Sequence, residues 1–269
     1  MFTGFFLCGN IVATLLLTLS SLPAPFLVVR LNTEAGIKIY FANKIVNLQS
    51  LILSILKMPL FYQQNINADT KLAIWKIEET EQFFDIGAPL HREIKHPHKR
   101  LQHLAGRYLL PFLFSDFPNK EIEIADTRRP FLPNEQYHFS ISHCGNFASA
   151  IVSSNHRVGI DVELITPRLE KIKTKFLHPN ELRFVNSQSS LYQLNLLSIL
   201  WSAKEAMYKW YGEGEVDFKE MMQTFPFAYG NEGVIDAAFI KLPIQQKLLL
   251  HFKKMEDLTM VWVASQTEL

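Results

Sequence analysis

Cysteine is scarce in this chain: of 269 residues only Cys8 and Cys144 carry a thiol. Two thiols cannot build a disulfide framework or a cysteine-rich metal centre, so the fold must hold by burial, as in a reducing compartment. Charge of one sign is lacking too, with 27 Lys and Arg against 26 Asp and Glu and a formal net charge of +1. That balance excludes a general electrostatic pull toward nucleic acid or an anionic membrane, and partners must be read from local motifs. Glycine and proline are sparse, at 11 and 13 residues, which excludes a collagenous or low-complexity chain. With 48% hydrophobic and 20% charged residues, the composition is globular and the length allows one large domain or two modest ones.

The first 29 residues lack Asp, Glu, Lys, Arg and His altogether. From Phe2 to Leu22 the run is apolar enough to imitate a signal peptide or a membrane span. No Lys or Arg precedes it, however, and Gly9, Asn10 and several Ser and Thr interrupt it. Met58 then opens Met-Pro-Leu-Phe-Tyr-Gln-Gln, directly before a segment of globular character. Residues 1–57 therefore read as an apolar extension outside the fold, either upstream sequence translated from a start assigned too early or a membrane anchor. Residues 58–269 are expected to need no membrane.

What is present is chemistry at two segments. In Gly159-Ile-Asp-Val-Glu163 apolar and acidic residues alternate as in a strand, so Asp161 and Glu163 share one face. In Trp201-Ser-Ala-Lys-Glu-Ala-Met-Tyr-Lys209 the helical i, i+4 spacing puts Glu205 and Lys209 one turn apart on one face. Three carboxylates suit a hard cation such as magnesium, which takes remaining ligands from water and substrate phosphates, so the expected substrate is a phosphate ester or anhydride. Taken alone, each segment is equally compatible with a solvated strand pair or a charged helix face. A metal supplies the physical reason for parallel carboxylates that otherwise repel.

Along the chain, Lys71 to Ile77 reads as strand and His98 to Phe114 as helix, with Pro111 expected to kink or end it. Glu121 to Ala125, Tyr137 to Ser142 and Phe147 to Ser153 read as short strands between Pro, Asn and Gly punctuation. Val158 to Glu163 follows as strand, then helices within Leu169 to Asn186 and Leu191 to Trp210, then strands near Ala237 to Leu242, Lys247 to Lys254 and Thr259 to Ala264. Ser189 and Ser190 are candidate caps of the long helix and Gly212 its stop. Its stripe Leu194, Leu197, Trp201 is expected to bury against the second sheet. The lobes are expected to divide near Asn155, giving 58–155 and 156–269, with the site between them.

Two further segments, His138-Phe-Ser-Ile-Ser-His143 and Phe176-Leu-His-Pro-Asn-Glu181, complete a pattern. In this order and spacing the four resemble the 4′-phosphopantetheinyl transferases, specifically the larger two-lobed, surfactin-synthetase-activating type, over about residues 58 to 269. The resemblance implies an α+β fold of two similar lobes related by a pseudo-twofold, each a small, mainly antiparallel sheet packed with helices. It implies transfer of 4′-phosphopantetheine from coenzyme A to a serine of an acyl, peptidyl or aryl carrier protein, releasing 3′,5′-adenosine bisphosphate.

By that resemblance Asp161, Glu163 and Glu205 bind Mg2+, and the metal also grips the coenzyme pyrophosphate. Lys209 contacts the phosphates and protonates the departing one, with Lys204 in the same coenzyme-binding set. Glu205 helps to remove the carrier serine proton, which asks one carboxylate to ligate and to act as base. Ser142 and His143 stand at the coenzyme phosphates. Lys99, Arg100 and Arg107 are the candidates for its 3′-phosphate, with His98 behind them, and a solvated basic face is the alternative. Arg128-Arg129-Pro130 matches a family Gly-Lys-Pro element. Arg129 is expected to meet phosphate, while arginine at 128 argues against a tight turn of positive φ. Cys144 replaces a common serine and loses its hydroxyl donor. Asn180 is a candidate helix cap, and its segment supports the cleft. The implied protein is a cytoplasmic monomer with no nucleic-acid partner, serving fatty-acid, polyketide, peptide or lysine biosynthesis. The alternatives are a non-catalytic coenzyme A or carrier-binding module and a magnesium phosphohydrolase.

Overall fold

The computed structural model describes residues 2–8, 11–17, 27–33, 36–42, 60–87, 90 and 93–265. By compactness the chain divides into Met1–Met58 and Pro59–Leu269. In the first unit β1 (Phe2–Cys8) pairs antiparallel with β2 (Ile11–Leu17), and β3 (Leu27–Thr33) with β4 (Gly36–Ala42). Their side chains lie outside the described residues, as does any test of a leader or anchor there.

The second unit begins with β5 (Leu60–Asn65) and β6 (Thr70–Lys76), followed by the single turn α1 (Glu81–Phe84) and the long α2 (Pro97–Leu113). Period-two alternation sends Leu72 and Ile74 of β6 to one face and Ala73 and Trp75 to the other. α2 buries Ala105, Leu109, Leu110 and Leu113 at helical spacing onto the Ala73 and Trp75 side. Pro111 neither ends nor precedes the end of this helix by a turn. α2 runs two residues past it, and the Phe114 amide closes the end on the Leu110 carbonyl.

A short hairpin of β7 (Glu123–Ile124) and β8 (Pro130–Phe131) comes next, smaller than the expected strand at Glu121 to Ala125 because Asn119–Glu121 forms a 3-10 turn. Then β9 (His138–Cys144) and β10 (Phe147–Ser153) pair antiparallel and complete a four-stranded sheet in the order β5-β6-β10-β9.

β11 (Arg157–Leu164) leads into α3 (Arg168–Phe176), α4 (Pro179–Ser187) and α5 (Ser190–Tyr211). β12 (Met222–Thr224), β13 (Glu232–Lys241), β14 (Ile244–Met255) and β15 (Leu258–Ser265) follow, and the antiparallel five-stranded order is β11-β15-β14-β13-β12. The architecture is thus mixed helix and strand with antiparallel sheets. Val158, Ile160 and Val162 of β11 join Leu72 and Ile74 of β6 in one apolar cluster, which ties the two sheets together.

α5 lies on the opposite face of β11, burying Ile199, Ala203, Ala206, Met207 and Trp210 against the sheet. The expected stripe of Leu194, Leu197 and Trp201 is rotated away from that contact. Leu197 packs among Leu169, Phe176 and Val185 of α3 and α4, with Trp201 against them. Gly159 permits the close approach of α5, because a Cβ there would stand 2.0 Å from the Ala206 carbonyl oxygen. Gly212 ends α5 at φ 78, as its position suggested, while Ser189 occupies the N-cap without a side-chain cap bond. α4 is capped by His178, not Asn180: its Nδ1 accepts from the Asn180 amide, and Glu181 Oε2 accepts from the His178 amide at 2.7 Å.

Candidate active site

Strand alternation puts Ile160 and Val162 in the core and therefore turns Asp161 and Glu163 the other way, toward α5. There a cavity of about 330 Å³ is lined by Ser142, His143, Asp161, Glu163, Trp201, Glu205 and Lys209, together with Ile141 and Val162. The site sits where β9, an edge of the first sheet, runs beside β11, an edge of the second. No ladder joins these strands. Side chains stitch them instead: the Ile160 amide donates to Ser140 Oγ at 3.2 Å, and Ser142 Oγ donates to Asp161 Oδ1 at 2.7 Å.

Lys209 Nζ completes a triangle, donating to Asp161 Oδ1 at 2.7 Å and to Ser142 Oγ at 2.8 Å. Asp161 is 5% exposed, and its Oδ2 is buried without a partner. Burial, then Asp161, pushes the Glu205 carboxyl up to about 7, with Lys209 opposing and Glu163 adding to the rise. Glu163 is raised by burial and by Asp161 as well, against Lys209, Arg168 and a hydrogen bond from Trp201. His143 is lowered by burial and then by Lys209, and its ring meets that of His103 edge-on at 4.9 Å. Cys144, beside them, is a free thiol pushed up to about 12 by burial and then by Glu163, which makes it inert.

Among the described residues no three His, Cys, Asp or Glu side chains are grouped so as to hold a metal ion. The donor chemistry nevertheless fits a hard cation. Three carboxylates face one cavity, two of them carry raised affinity for protons because of burial and then the neighbouring Asp161, and Asp161 keeps an orphaned oxygen. As the site stands, the Lys209 ammonium pairs with Asp161.

Of the residues singled out in the sequence, Asp161, Glu163, Glu205, Lys209, Ser142 and His143 meet at this cavity. Lys204 does not, and its assignment to coenzyme binding is corrected. It is fully buried on the far side of α5, with Nζ 2.7 Å from Glu181 Oε2 and donating to the carbonyls of Phe218 at 2.8 Å and Met222 at 2.6 Å. Adjacent helical residues point about 100° apart, and here that step turns Lys204 to Glu181 while Glu205 lines the cavity.

The basic residues of α2 also part company. Arg107 is 7% exposed, pushed down to about 10 by burial, with one guanidinium nitrogen lacking a partner, so it is no surface anion contact. Arg100 is held by Glu81, Nε to Oε2 at 2.9 Å. His98 Nε2 lies 3.0 Å from Asn146 Oδ1. Lys99 is exposed and near enough to act electrostatically on His143.

Arg129 lines a separate cavity of about 390 Å³ with Tyr137, His138, Arg157 and Gly212. Its guanidinium is lowered by burial and then by Arg157. The turn before it is tight after all: Arg128 adopts φ 67, with its amide on the Ala125 carbonyl at 2.8 Å.

His103 went unread in the sequence, although its i, i+4 spacing from Lys99 was a signal. Trp201 was read as part of the motif and of the apolar stripe, and it lines the cavity at i, i+4, i+8 with Glu205 and Lys209.

The geometry agrees with what comparison finds. Residues 157–260 match the family described as the 4′-phosphopantetheinyl transferase superfamily. The match covers those residues alone, and the His138 to His143 segment lies outside it. The chain is similar to 4′-phosphopantetheinyl transferase gsp of Aneurinibacillus migulanus, 34% identical over 41% of this chain and 46% of that one. It is similar to enterobactin synthase component D of Salmonella austin, 31% identical over 41% and 47% respectively. For enterobactin synthase component D of Escherichia coli K12 the identity is 30% over 45% and 60%. The chain thus spans about half the length of these relatives.

Proposed function

We propose that the protein transfers the 4′-phosphopantetheine group of coenzyme A to a serine of an acyl, peptidyl or aryl carrier protein, with Mg2+, and releases 3′,5′-adenosine bisphosphate. The observation that carries this reading is that Asp161, Glu163, Glu205 and Lys209 line one cavity and all fall within the superfamily match. The serine oxygen attacks the β-phosphorus of coenzyme A. One P–O bond forms there as the bond to the bridging oxygen of the departing bisphosphate breaks. Glu205, which lines the cavity beside Asp161 and Lys209, accepts the serine proton directly or through water. Lys209 donates to the departing phosphate. When bound through Asp161, Glu163 and Glu205, magnesium supplies neutralising charge to the phosphates. His143 and Lys99 offer donors at the rim, and Arg129 a second anion contact at its own cavity.

On this reading residues 58–155 and 156–269 are two lobes related by a pseudo-twofold, each a sheet with one long helix, α2 or α5. The protein acts as a cytoplasmic monomer, where coenzyme A and carriers meet. Among the described residues no helix is long and apolar enough to cross a membrane.

The test is intact-mass analysis of apo carriers incubated with coenzyme A and Mg2+. A gain of one phosphopantetheine is expected with the wild type, and none with Glu205→Gln or Asp161→Ala, both folded by circular dichroism. Coenzyme A binding without mass gain on any carrier would make the chain a binding module. Phosphate release from a nucleotide without a carrier would make it a hydrolase.

A further inference from the structure

Asp161 has two oxygens with opposite fates. Oδ1 receives both Ser142 and Lys209, while Oδ2 is buried with nothing to receive. Ser142 has a single O–H, and that hydrogen goes to Asp161, so the hydroxyl meets Lys209 through a lone pair. Each member of the triangle therefore fixes the other two. Ser142 is 6% exposed and cannot turn its hydrogen to a phosphate without releasing Asp161. Lys209 differs from the buried Lys204 in this respect. Its side chain is 24% exposed and lines the cavity, so its ammonium can leave toward an anion entering there.

We propose that Lys209, latched by Ser142, is the resident cation of Asp161, and that a divalent metal enters fully only when a coenzyme phosphate draws the ammonium away. This rests on the transferase reading for the identity of the phosphate ligand. It explains why the three carboxylates of the cavity are not gathered as a metal centre: the ammonium already answers Oδ1. A metal arriving alone must displace a lysine that is held by two acceptors at once, Asp161 Oδ1 and Ser142 Oγ. A pyrophosphate supplies a new acceptor, and the orphaned Oδ2 and the vacated Oδ1 become available together. Metal and coenzyme then bind cooperatively, and by linkage each improves the affinity of the other by the same factor.

The probe is Mn2+, followed through the paramagnetic resonance of the free ion, on the full chain without any carrier. Saturating coenzyme A should tighten Mn2+ binding to the wild type by about tenfold or more, within the usual range for coupled sites. Lys209→Met should bind Mn2+ alone about tenfold more tightly, since a unit charge beside the carboxylate is gone. Coenzyme A should then enhance binding less than in the wild type, because only the direct attraction between phosphate and metal is left to couple them. Ser142→Ala keeps the charge and loosens the latch, and should tighten Mn2+ alone severalfold. That variant separates a latch from the mere loss of a nearby charge.

The proposal is overturned if Lys209→Met binds Mn2+ no better than the wild type, if coenzyme A enhances binding to it as much as to the wild type, or if Ser142→Ala has no effect in a folded protein. Coupling in a wild type that loads no carrier would sink the transferase reading and leave the latch. Carrier loading without coupling would do the reverse.

Discussion

Lys204→Met offers a direct measure of how α5 is held. The ammonium is fully buried and makes three contacts, with Glu181 Oε2 and the carbonyls of Phe218 and Met222. Glu181 in turn caps α4 through the His178 amide, and its Oε1 accepts from the Thr224 amide at 2.8 Å and hydroxyl at 2.6 Å. Methionine fills the volume of the stem but leaves a buried carboxylate without its counter-charge and two carbonyls without a donor. Removing one partner of a buried ion pair costs about 3–5 kcal/mol. An orphaned acceptor adds to this with poor additivity, so about 4 kcal/mol is the working expectation. With a urea dependence of about 2 kcal/mol per molar, the unfolding midpoint should fall by about 2 M. The assay is urea unfolding followed by circular dichroism and tryptophan fluorescence, paired with calorimetric titration of coenzyme A on the folded variant. Stability should drop while coenzyme affinity stays within about twofold. A variant with an unchanged midpoint and a tenfold loss of coenzyme affinity would refute the placement of Lys204.

Two further outcomes follow from the same geometry. Glu205 has a folded pKa of about 7 against an ordinary 4.5, so its neutral form is favoured by the fold. Its contribution is fully present below pH 4.5 and is lost as pH rises through 7, up to about 3 kcal/mol in the metal-free protein. Glu205→Gln should flatten that decline, measured as melting temperature against pH in a chelator; parallel slopes for the two proteins would contradict it. Arg128 sits at φ 67, where a side chain costs about 1–2 kcal/mol, partly offset by the unfolded-state freedom of glycine. Arg128→Gly should therefore raise the melting temperature by about 1–3 °C, and a lower value would show that the arginine side chain stabilises the turn.

The parts of the fold and site legible in the sequence are those fixed by local periodicity. Two-residue alternation in Gly159 to Glu163 is enough to send Ile160 inward and Asp161 outward, and i, i+4 spacing is enough to align Glu205 with Lys209. Lys204 was misread because its partner, Glu181, lies on another helix, and nothing local distinguishes a buried lysine from a solvated one. Arg107 was misread for the same reason, being drawn inside by the packing of α2. Arg128 shows that a glycine signal is sufficient for a left-handed turn without being required for one, since the Arg128 amide to Ala125 carbonyl bond holds it. The three-residue β12 was too short for a period to register, and an irregularity between Leu60 and Tyr62 breaks the alternation of β5.

The anchoring of Lys204 also bears on how finely the cavity side chains Glu205 and Lys209 are aimed. Ile199, Ala203, Ala206, Met207 and Trp210 pack α5 against the sheet, and a buried polar anchor adds to their resistance to a roll about the helix axis. On the rim of a helix, about 5–6 Å from the axis, a roll of about 10° sweeps a side-chain tip through about 1 Å. An error of that size can slow an in-line reaction about a hundredfold. Lys204 is held by three fixed acceptors that belong to α4, to β12 and to the chain leading into it, so it opposes that roll. The azimuth of Glu205 and Lys209 is thus set in part from the dry side of the helix, by a residue that does not line their cavity.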